Sequence, residues 1–420
     1  MPTKRAILVI CDGLRADMIR PDWTPNLWRI KERGRFYANH RSVYPSTTRT
    51  TAASIATGCH PARHGLEGNA IALDLGEGLE VFSVGPPGFR EKLEKARGRT
   101  LKTPTLAERL KAEGGVEIWS NVSPGAAMFH DPDGHGHIYH RSFSQGPGRA
   151  ALPPTGMSHD AAGDTALTDK FLADVLGPAD SGPVFAVLWQ CEPDHTQHAV
   201  ALGSPEHLEV LANADMNAGR VADRIAELDP SGENILLICA SDHGHETVTE
   251  TVDLDAMLIA AGLKDGVGNR DVVVASQGLS ATVYLSDAAL EREGAIVDFL
   301  RNDPRFGGVV SGADLALVGM PVDEGPRIAV MGASTEDEND FGVPGCSVAV
   351  QGTLKISIND GCGQHGGMGR FEQNPFALAV GGGHRAGSEC LDPTSAVDLA
   401  PTILKHLGQP HDDMDGAPLH

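Results

Sequence analysis

The sequence is poor in paired cysteines, in positive charge and in long apolar runs. Its 420 residues include seven cysteines without a C-x-x-C pair, and this odd number argues against a disulfide framework and fits a reducing compartment. Lys and Arg number 34 against 56 Asp and Glu, which gives a formal net charge of −22. Such an acidic surface repels nucleic acid and anionic membranes, so we expect neither as a partner.

The sequence also lacks any run of 18 apolar residues, and it therefore predicts no membrane-spanning helix. Residues 1–5 lead directly into a strand-like run, without the apolar stretch and cleavage site of a signal peptide. Together with the unpaired cysteines, these features predict a cytoplasmic protein. The chain length is sufficient for a large core.

Short apolar runs that alternate with helical patterns predict the fold. Residues 6–11, 183–189 and 234–240 are typical of buried parallel strands, and residues 205–228 are typical of a long helix. This alternation predicts an α/β protein with a doubly wound, mostly parallel sheet that is flanked by helices.

The pattern becomes irregular in the last third of the chain. We interpret residues 251–350 as an inserted α+β cap subdomain, and residues 1–250 and 351–420 as the core domain. Within the cap, residues 334–341 are acidic and irregular, which predicts a loop.

Residues 44–58 combine a turn signal, a cluster of hydroxyl groups and a small-residue run that begins like a helix. A hydroxyl at a helix N-terminus faces backbone N–H groups and the positive end of the helix dipole, so it suits attack on an anion. Thr and Ser before a helix are also common caps. On this stretch alone, both interpretations stay open.

Acidic and histidine residues follow the predicted strands where each strand ends, and a further histidine lies in a glycine-rich stretch. Because the carboxyl ends of parallel strands share one edge of a sheet, we expect these side chains to converge. Mixtures of carboxylate and imidazole suit Zn²⁺ and other divalent transition metals. The candidate ligands are Asp12, Asp194, His198, Asp242, His243 and His365.

A second concentration of histidines lies in residues 130–140, which contain four of them together with Gly and Pro. Such a segment could hold a metal, border a substrate pocket or be a solvated loop. Its role stays open at this point.

In their order along the chain, the motifs resemble the alkaline phosphatase superfamily, most closely its type I phosphodiesterase/nucleotide pyrophosphatase branch, near phosphonoacetate hydrolase. The resemblance covers nearly the whole chain except the block 251–350. Its motifs are ICDG at 10–13, PSTT at 45–48 with TG at 57–58 and HG at 64–65, EPDHTQH at 192–198, SDHG at 241–244, QHGG at 364–367, and the tail segments 398–404 and 414–416.

The resemblance implies a hydrolase of phosphodiester or pyrophosphate bonds with two divalent metal ions, Zn²⁺ first, with Mn²⁺ or Fe as alternatives. By its spacing to the TG pair, Thr48 rather than Thr47 takes the nucleophile position and forms a covalent phospho-threonine intermediate. The substrate would be a small anionic phosphoryl compound, and a homodimer is possible. The implied metal sites are Asp194, His198 and His365 for one ion, and Asp12, Asp242 and His243 with Thr48 for the other.

Two further residues concern the substrate. Asn69 matches a phosphate-contacting residue of the phosphodiesterase branch, although a Gly-Asn turn is the simpler interpretation. Arg49 stands where that branch usually has an aromatic residue, and it either pairs with a second anionic group of the substrate or is solvated.

Other functions stay in view. Cleavage of the C–P bond of a small anionic phosphonate, as in phosphonoacetate hydrolase, is the main alternative, but residues 121–125 lack the lysine which that activity would require. A sulfatase would need Cys or Ser at position 48. A non-catalytic metal-binding module is the third hypothesis.

Overall fold

A ten-stranded sheet forms the centre of the molecule in the computed structural model, which describes residues 4–177 and 182–420. Strands and helices are numbered here in chain order. From one edge to the other, the sheet consists of β21 (Ser388–Cys390), β2 (Arg35–Tyr37), β20 (Ala377–Val380), β11 (Ile235–Ala240), β1 (Arg5–Cys11), β10 (Phe185–Gln190), β6 (Val116–Ser120), β7 (His137–His140), β8 (Ser144–Gly146) and β9 (Ala150–Leu152).

Five central strands run parallel to one another: β11, β1, β10, β6 and β7. On either side of them the pairing is antiparallel, between β20 and β11 and between β8 and β7. This confirms the predicted α/β class and the mostly parallel sheet. The helices are α1 (Pro25–Arg33), α2 (Thr48–Thr57), α3 (Pro61–His64), α4 (Phe89–Arg97), α5 (Leu106–Leu110), α6 (Pro124–His130), α7 (Ala161–Asp174), α8 (Asp194–Gln197), α9 (Pro205–Leu228), α10 (Leu254–Ala260), α11 (Glu293–Arg301) and α12 (Leu399–His406).

Alternate residues of β1 explain why helices cover both faces of this sheet. Leu8 and Ile10 belong to one buried cluster with residues of α2, α5 and α12, while Ile7 and Val9 belong to another with residues of α1, α7 and α9. Because both faces are buried, the strand is apolar throughout rather than alternating. The predicted long helix, residues 205–228, coincides with α9.

Smaller sheets flank the main one. One four-stranded sheet contains β17 (Ser334–Glu338), β18 (Pro344–Gln351), β12 (Glu246–Asp253) and β19 (Gly363–Gln364); the other contains β13 (Val272–Ser276), β14 (Ser280–Leu285), β16 (Ile328–Gly332) and β15 (Phe306–Ser311); two pairs are β22 (Thr394–Ser395) with β3 (His40–Arg41), and β4 (Ala70–Asp74) with β5 (Leu79–Ser83). The sheet β13–β14–β16–β15, with α10 and α11, encloses its own buried apolar cluster. We propose on this basis that residues 251–350 form a cap subdomain on the core.

Two sequence-based interpretations need correction. The predicted loop at 334–341 includes the strand β17, which pairs with β18; all its residues are exposed, so it lacks the apolar alternation that reveals a strand. The segment 130–140 is partly regular, since α6 ends at His130 and β7 begins at His137. Within the described part of the chain, no helix combines the length and the apolar content needed to cross a membrane.

Candidate functional site

The carboxyl ends of β1, β10 and β11 bring the predicted ligands together. Cys11 pairs with Gln190, and Ile10 pairs with Ala240, so the residues that follow these strands lie side by side. Asp12 follows β1 directly, Asp194 and His198 follow β10, and Asp242 and His243 follow β11, whereas His365 follows β19 of a flanking sheet. The described residues contain two neighbouring groups here, Asp194 with His198, His245 and His365, and Asp12 with Asp242 and His243; within each group the nearest ligand atoms lie within 4.8 Å of one another.

In the first group, the imidazoles converge on one carboxylate oxygen. Asp194 Oδ1 lies 2.8 Å from His245 Nε2, 3.3 Å from His198 Nε2 and 3.6 Å from His365 Nε2. Burial alone would raise the pKa of Asp194, but His198 and His245 outweigh it and hold that pKa well below its usual range. Asp194 is therefore a carboxylate that faces three ring nitrogens.

In the second group, two buried carboxylate oxygens accept no hydrogen bond. Trp189 Nε1 donates to Asp12 Oδ2 at 2.9 Å, and Gly13 N donates to Asp242 Oδ1 at 3.2 Å. The remaining oxygens, Asp12 Oδ1 and Asp242 Oδ2, are buried without a hydrogen-bond donor, although His243 Nε2 lies 3.5 and 3.1 Å from them. A buried carboxylate oxygen without a donor lowers the stability of the fold unless a cation binds it.

The charges of this second group also favour a bound cation. Burial raises the pKa of Asp12 well above its usual range, and the carboxylates of Asp242 and Asp194 raise it further. Three carboxylates at one sheet edge repel each other until a positive charge joins them. The residues present therefore fit two divalent cations, one in each group.

Hydrogen bonds to the backbone orient two of the imidazoles. His365 Nδ1 donates to Ser46 O at 2.7 Å, and His243 Nδ1 donates to Gly244 O at 3.2 Å. In both rings the Nε2 lone pair is consequently left free to face the cluster. The first bond also ties His365 to the loop that precedes α2.

Thr48 is the first residue of α2, and its hydroxyl reaches the second group. Its Oγ1 lies 3.2 Å from His243 Nε2, and the side chain lines the cavity described below. The hydroxyl of Thr47 instead donates to Thr50 Oγ1 at 2.8 Å, and it makes no capping bond to the helix. Of these two threonines, only Thr48 presents its oxygen to the predicted metal ligands.

A cavity of about 500 Å³ opens beside Thr48. Asn69 lies on its wall and accepts a hydrogen bond from the backbone N–H of Arg49 at 3.2 Å. Because the Asn69 carbonyl oxygen is used in this way, the side chain offers a ligand its NH₂ group. Gln277 Oε1 accepts from Asn69 N at 2.8 Å and so fixes the position of Asn69.

Arg49 also lines the cavity. Its Nε donates to Ser123 Oγ at 3.0 Å, and burial lowers the pKa of its guanidinium although Asp194 and Asp12 partly offset this effect. Gly85 leaves room for it, since a Cβ atom there would lie 3.0 Å from Arg49 Nη2. The side chain is thus held at the cavity wall, rather than spread into solvent.

Four cavity or cluster residues escaped the sequence analysis. His245 lies two positions after His243, and this closeness to a predicted ligand was the available signal. Gln277 follows β13, and His159 and His195 lie against each other at the cavity wall, with ring centres 4.2 Å apart and ring planes inclined at 40°. Gln277 and His159 reach the cavity through long-range packing that no local pattern reveals, whereas His195 lies next to Asp194 within the motif 192–198.

The histidines of segment 130–140 lie apart from both groups. His130 and His140 are buried, and His140 Nε2 lies 2.9 Å from Val122 O. His135 forms a half-exposed group with Glu108 and Asp133 that could hold a cation, but acidic surface groups of this kind are common without one.

Comparison with known proteins places this geometry in a family. The family model of the type I phosphodiesterases and nucleotide pyrophosphatases matches residues 6–307. The chain belongs to this family. The family lies in the alkaline phosphatase superfamily, so the resemblance inferred from the motifs is confirmed.

Two curated relatives of this phosphodiesterase-family chain are about one quarter identical to it over the aligned residues. An uncharacterized pyrophosphatase/phosphodiesterase of Schizosaccharomyces pombe is 24% identical over 241 residues, which are 57% of this chain and 44% of the relative. Human ectonucleotide pyrophosphatase/phosphodiesterase family member 1 is 25% identical over 250 residues, 58% of this chain and 24% of the relative. The chain therefore aligns with less than half the length of either relative.

Solved structures of the family share the fold. Murine ectonucleotide pyrophosphatase/phosphodiesterase 5, in an inactive variant in complex with AMP, superposes with a TM-score of 0.68 at 18% identity, covering 99% of this chain and 97% of the other. The human protein of the same name gives 0.68 at 16% identity, covering 99% and 97%.

Proposed function

We propose that this phosphodiesterase-family chain hydrolyses phosphodiester or pyrophosphate bonds with Thr48 as the nucleophile and two divalent metal ions, Zn²⁺ first. The observation that carries the proposal is the position of Thr48 Oγ1, 3.2 Å from His243 Nε2 and next to two buried carboxylate oxygens without donors. The imidazole content of the two groups supports Zn²⁺, with Mn²⁺ or Fe as alternatives.

The chemistry follows from the side chains. Bound divalent ions supply the positive charge that lowers the pKa of a nearby hydroxyl or water and of the leaving group. Thr48 Oγ1 loses its proton and forms a bond to phosphorus, while the bond from phosphorus to the leaving oxygen breaks and that oxygen takes a proton. Water then cleaves the phospho-threonine and regenerates the Thr48 hydroxyl. The Asn69 NH₂ group donates to a phosphoryl oxygen.

The cavity favours a small anionic phosphoryl substrate. Among the described residues, no Phe, Tyr or Trp lines it, so only imidazole rings such as those of His159 and His195 are available to stack on a nucleobase. Arg49 instead offers a guanidinium that can bind a second anionic group of the substrate. We therefore use the AMP bound to the murine relative as a guide to the phosphate position only. For this chain we expect a leaving group that is less aromatic than one with a nucleobase.

Cleavage of a phosphonate C–P bond is the second candidate function, and Arg49 is the observation that favours it. A carboxylate on the leaving carbon would pair with this half-buried guanidinium. The absence of lysine in residues 121–125 counts against it. Turnover of phosphonoacetate that exceeds turnover of every diester tested would make this the principal activity.

Location and assembly stay predictions. All seven cysteines are free, which supports a reducing, cytoplasmic environment. A homodimer, and the lack of nucleic-acid and membrane partners expected from the net charge, can be checked by light scattering and by binding to DNA and anionic vesicles.

Replacement of Thr48 tests the proposal. We expect Thr48→Ala to lower kcat for bis-p-nitrophenyl phosphate at least about 1,000-fold, because the attacking oxygen is lost. Thr48→Ser should keep measurable turnover. The matched control is Thr47→Ala, which removes a neighbouring hydroxyl that bonds only to Thr50, and it should cost less than about tenfold. Equal losses in Thr47→Ala and Thr48→Ala, with metal content and circular dichroism unchanged, would show that Thr48 is not the nucleophile.

A further inference from the structure

Three imidazole rings around Asp194 lie at nearly equal distances from one another. The ring centres of His198 and His245 are 5.0 Å apart, those of His245 and His365 are 5.1 Å apart, and those of His198 and His365 are 5.2 Å apart. The ring planes are inclined at 69°, 68° and 51° in the same order. The rings therefore point toward a shared centre instead of stacking on one another.

This triangle has the size that a shared metal ion requires. Imidazoles that bind one tetrahedral Zn²⁺ through nitrogen at about 2.1 Å have ring centres about 5 Å apart. His243 does not belong to the triangle, because its ring stacks on His365 at 3.7 Å with an angle of 15°. The arrangement separates a three-imidazole group from the carboxylate-rich group of Asp12 and Asp242.

His245 takes part in the triangle through Nε2. This atom lies 2.8 Å from Asp194 Oδ1, on the side where the other two rings present their own Nε2 atoms. The backbone makes room for it, since a Cβ atom at Gly13 would lie 2.8 Å from His245 Nε2. On the other side of the ring, a Cβ at Gly363 would lie 2.9 Å from Nδ1, so close packing holds the ring in place.

We propose that His245 is a fourth protein ligand of the metal ion at Asp194. This inference rests on the proposed two-metal function. The ion at Asp194 then has three nitrogen donors and one oxygen, whereas the ion at Asp12 has one nitrogen and is otherwise bound by oxygen. Because nitrogen donors favour Zn²⁺ and oxygen donors accept Mn²⁺, the two positions differ in metal preference. Under limiting Zn²⁺, the Asp194 position fills first.

Paramagnetic proton NMR of the Co²⁺-loaded protein counts the bound imidazoles. Each histidine that binds Co²⁺ through Nε2 contributes one hyperfine-shifted, exchangeable Nδ1–H signal. With two equivalents of Co²⁺ we expect four such signals in the wild type, from His198, His245, His365 and His243, and three in His245→Ala. The matched control is His207→Ala, which removes another fully buried histidine outside both groups and should leave four.

A second variant distinguishes a His245 that binds the metal from a His245 that only positions Asp194. Gln at position 245 can still donate a hydrogen bond to Asp194 but does not replace an imidazole ligand. If His245 binds the metal, His245→Gln and His245→Ala both weaken the tighter Zn²⁺ site at least about 100-fold in competition with a chelator. If His245 only oriented Asp194, its loss would lower the Zn²⁺ affinity about 10–100-fold, and Gln at this position would restore most of that affinity.

The NMR spectrum of the Co²⁺-loaded wild type tests the role of His245 even if a variant folds poorly. Three shifted signals in the wild type, or near-wild-type Zn²⁺ affinity in His245→Gln, would overturn the role of His245 and leave the two-metal function intact. A protein that binds no Co²⁺ or Zn²⁺ would overturn both.

Discussion

At the scale of single residues, burial keeps several histidines outside the site uncharged. It lowers the pKa of His40, His64, His130 and His207 to about 3, because an imidazolium in these positions would lose its hydration. The unfolded chain takes up protons near pH 6.5, while the folded protein does not. These residues therefore contribute stability that is present above pH 6.5 and is lost as the pH falls toward 3.

Replacement of His130 should remove part of this pH dependence. His130 is 2% exposed, and its ring lies edge-on to Trp189 at 5.4 Å, so a phenyl ring fits the same contact. Between pH 7 and pH 5 we expect the wild type to lose about 2 kcal/mol more free energy of unfolding than His130→Phe. Urea denaturation at both pH values measures the difference. The control is His137→Phe, at a half-exposed position of β7, which should lose as much free energy of unfolding as the wild type between the two pH values. Equal losses in the wild type and His130→Phe would contradict this account.

Most of the ligands could be predicted because they follow apolar strands at one edge of the sheet, whereas His365 was predicted from its glycine-rich segment. Asp12 and Asp242 could be placed in this way without any tertiary information. His245 was not identified, since the sequence shows its position near His243 but not that its ring turns toward Asp194. For Arg49 two interpretations were open; the contact with Ser123 holds the side chain at the cavity wall, and its role in substrate binding stays a prediction.

At the scale of elements, α1 begins without a capping side chain of its own, and α9 supplies the missing acceptor. No cap hydrogen bond comes from Thr24. Instead, Asp215 of α9 accepts from Leu27 N at 2.7 Å and from Asn26 N at 3.1 Å. A carboxylate at this end also meets the positive pole of the helix dipole. The contact fixes α1 against α9 on one face of the main sheet.

Loss of this carboxylate should therefore destabilise the protein strongly. Asp215 is 1% exposed, so Asp215→Ala leaves two backbone N–H groups of the first turn of α1 without an acceptor. We expect a cost of about 3 kcal/mol in the free energy of unfolding. The matched control is Asp223→Ala in the same helix, which breaks an exposed ion pair with Arg29 of the same partner helix and should cost less than about 1 kcal/mol. Chemical denaturation compares them, and equal costs would refute the capping role.

Elements with a buried face were predictable, and exposed edges were not. The long helix α9 has a regular apolar stripe, and Ser204 caps its first turn by accepting from His207 N. By contrast, β17 is an edge strand whose five residues are all exposed, and it pairs only with the next strand, β18, so it shows no apolar alternation. Propensity alone cannot identify such a strand.

At the scale of the whole molecule, the proposed function requires an acidic chain to bind an anionic substrate. The formal net charge is −22, so the field of the protein as a whole opposes the approach of a phosphate. In the proposed function, the local positive centres are the two metal positions and Arg49, which lie at one cavity. Binding of the substrate therefore depends on this cavity and not on the overall charge.

The number of charges that the cavity can neutralise decides between diesters and monoesters. A monoester dianion presents one more charged oxygen than a diester, and Asn69 offers it a neutral donor rather than a cation. The single charge of a diester is matched by this donor, and its second ester group has room in a cavity of about 500 Å³. Arg49 is the one described residue of the cavity wall with a permanent positive charge that could reverse this preference.

The most direct test is the ratio of kcat/KM for bis-p-nitrophenyl phosphate to kcat/KM for p-nitrophenyl phosphate, in the wild type and in Arg49→Ala. We expect the diester to be preferred at least about tenfold in both proteins, because the phosphoryl contacts come from Thr48, Asn69 and the metal positions. A monoester preference in the wild type that disappears in Arg49→Ala would contradict the assignment as a phosphodiesterase.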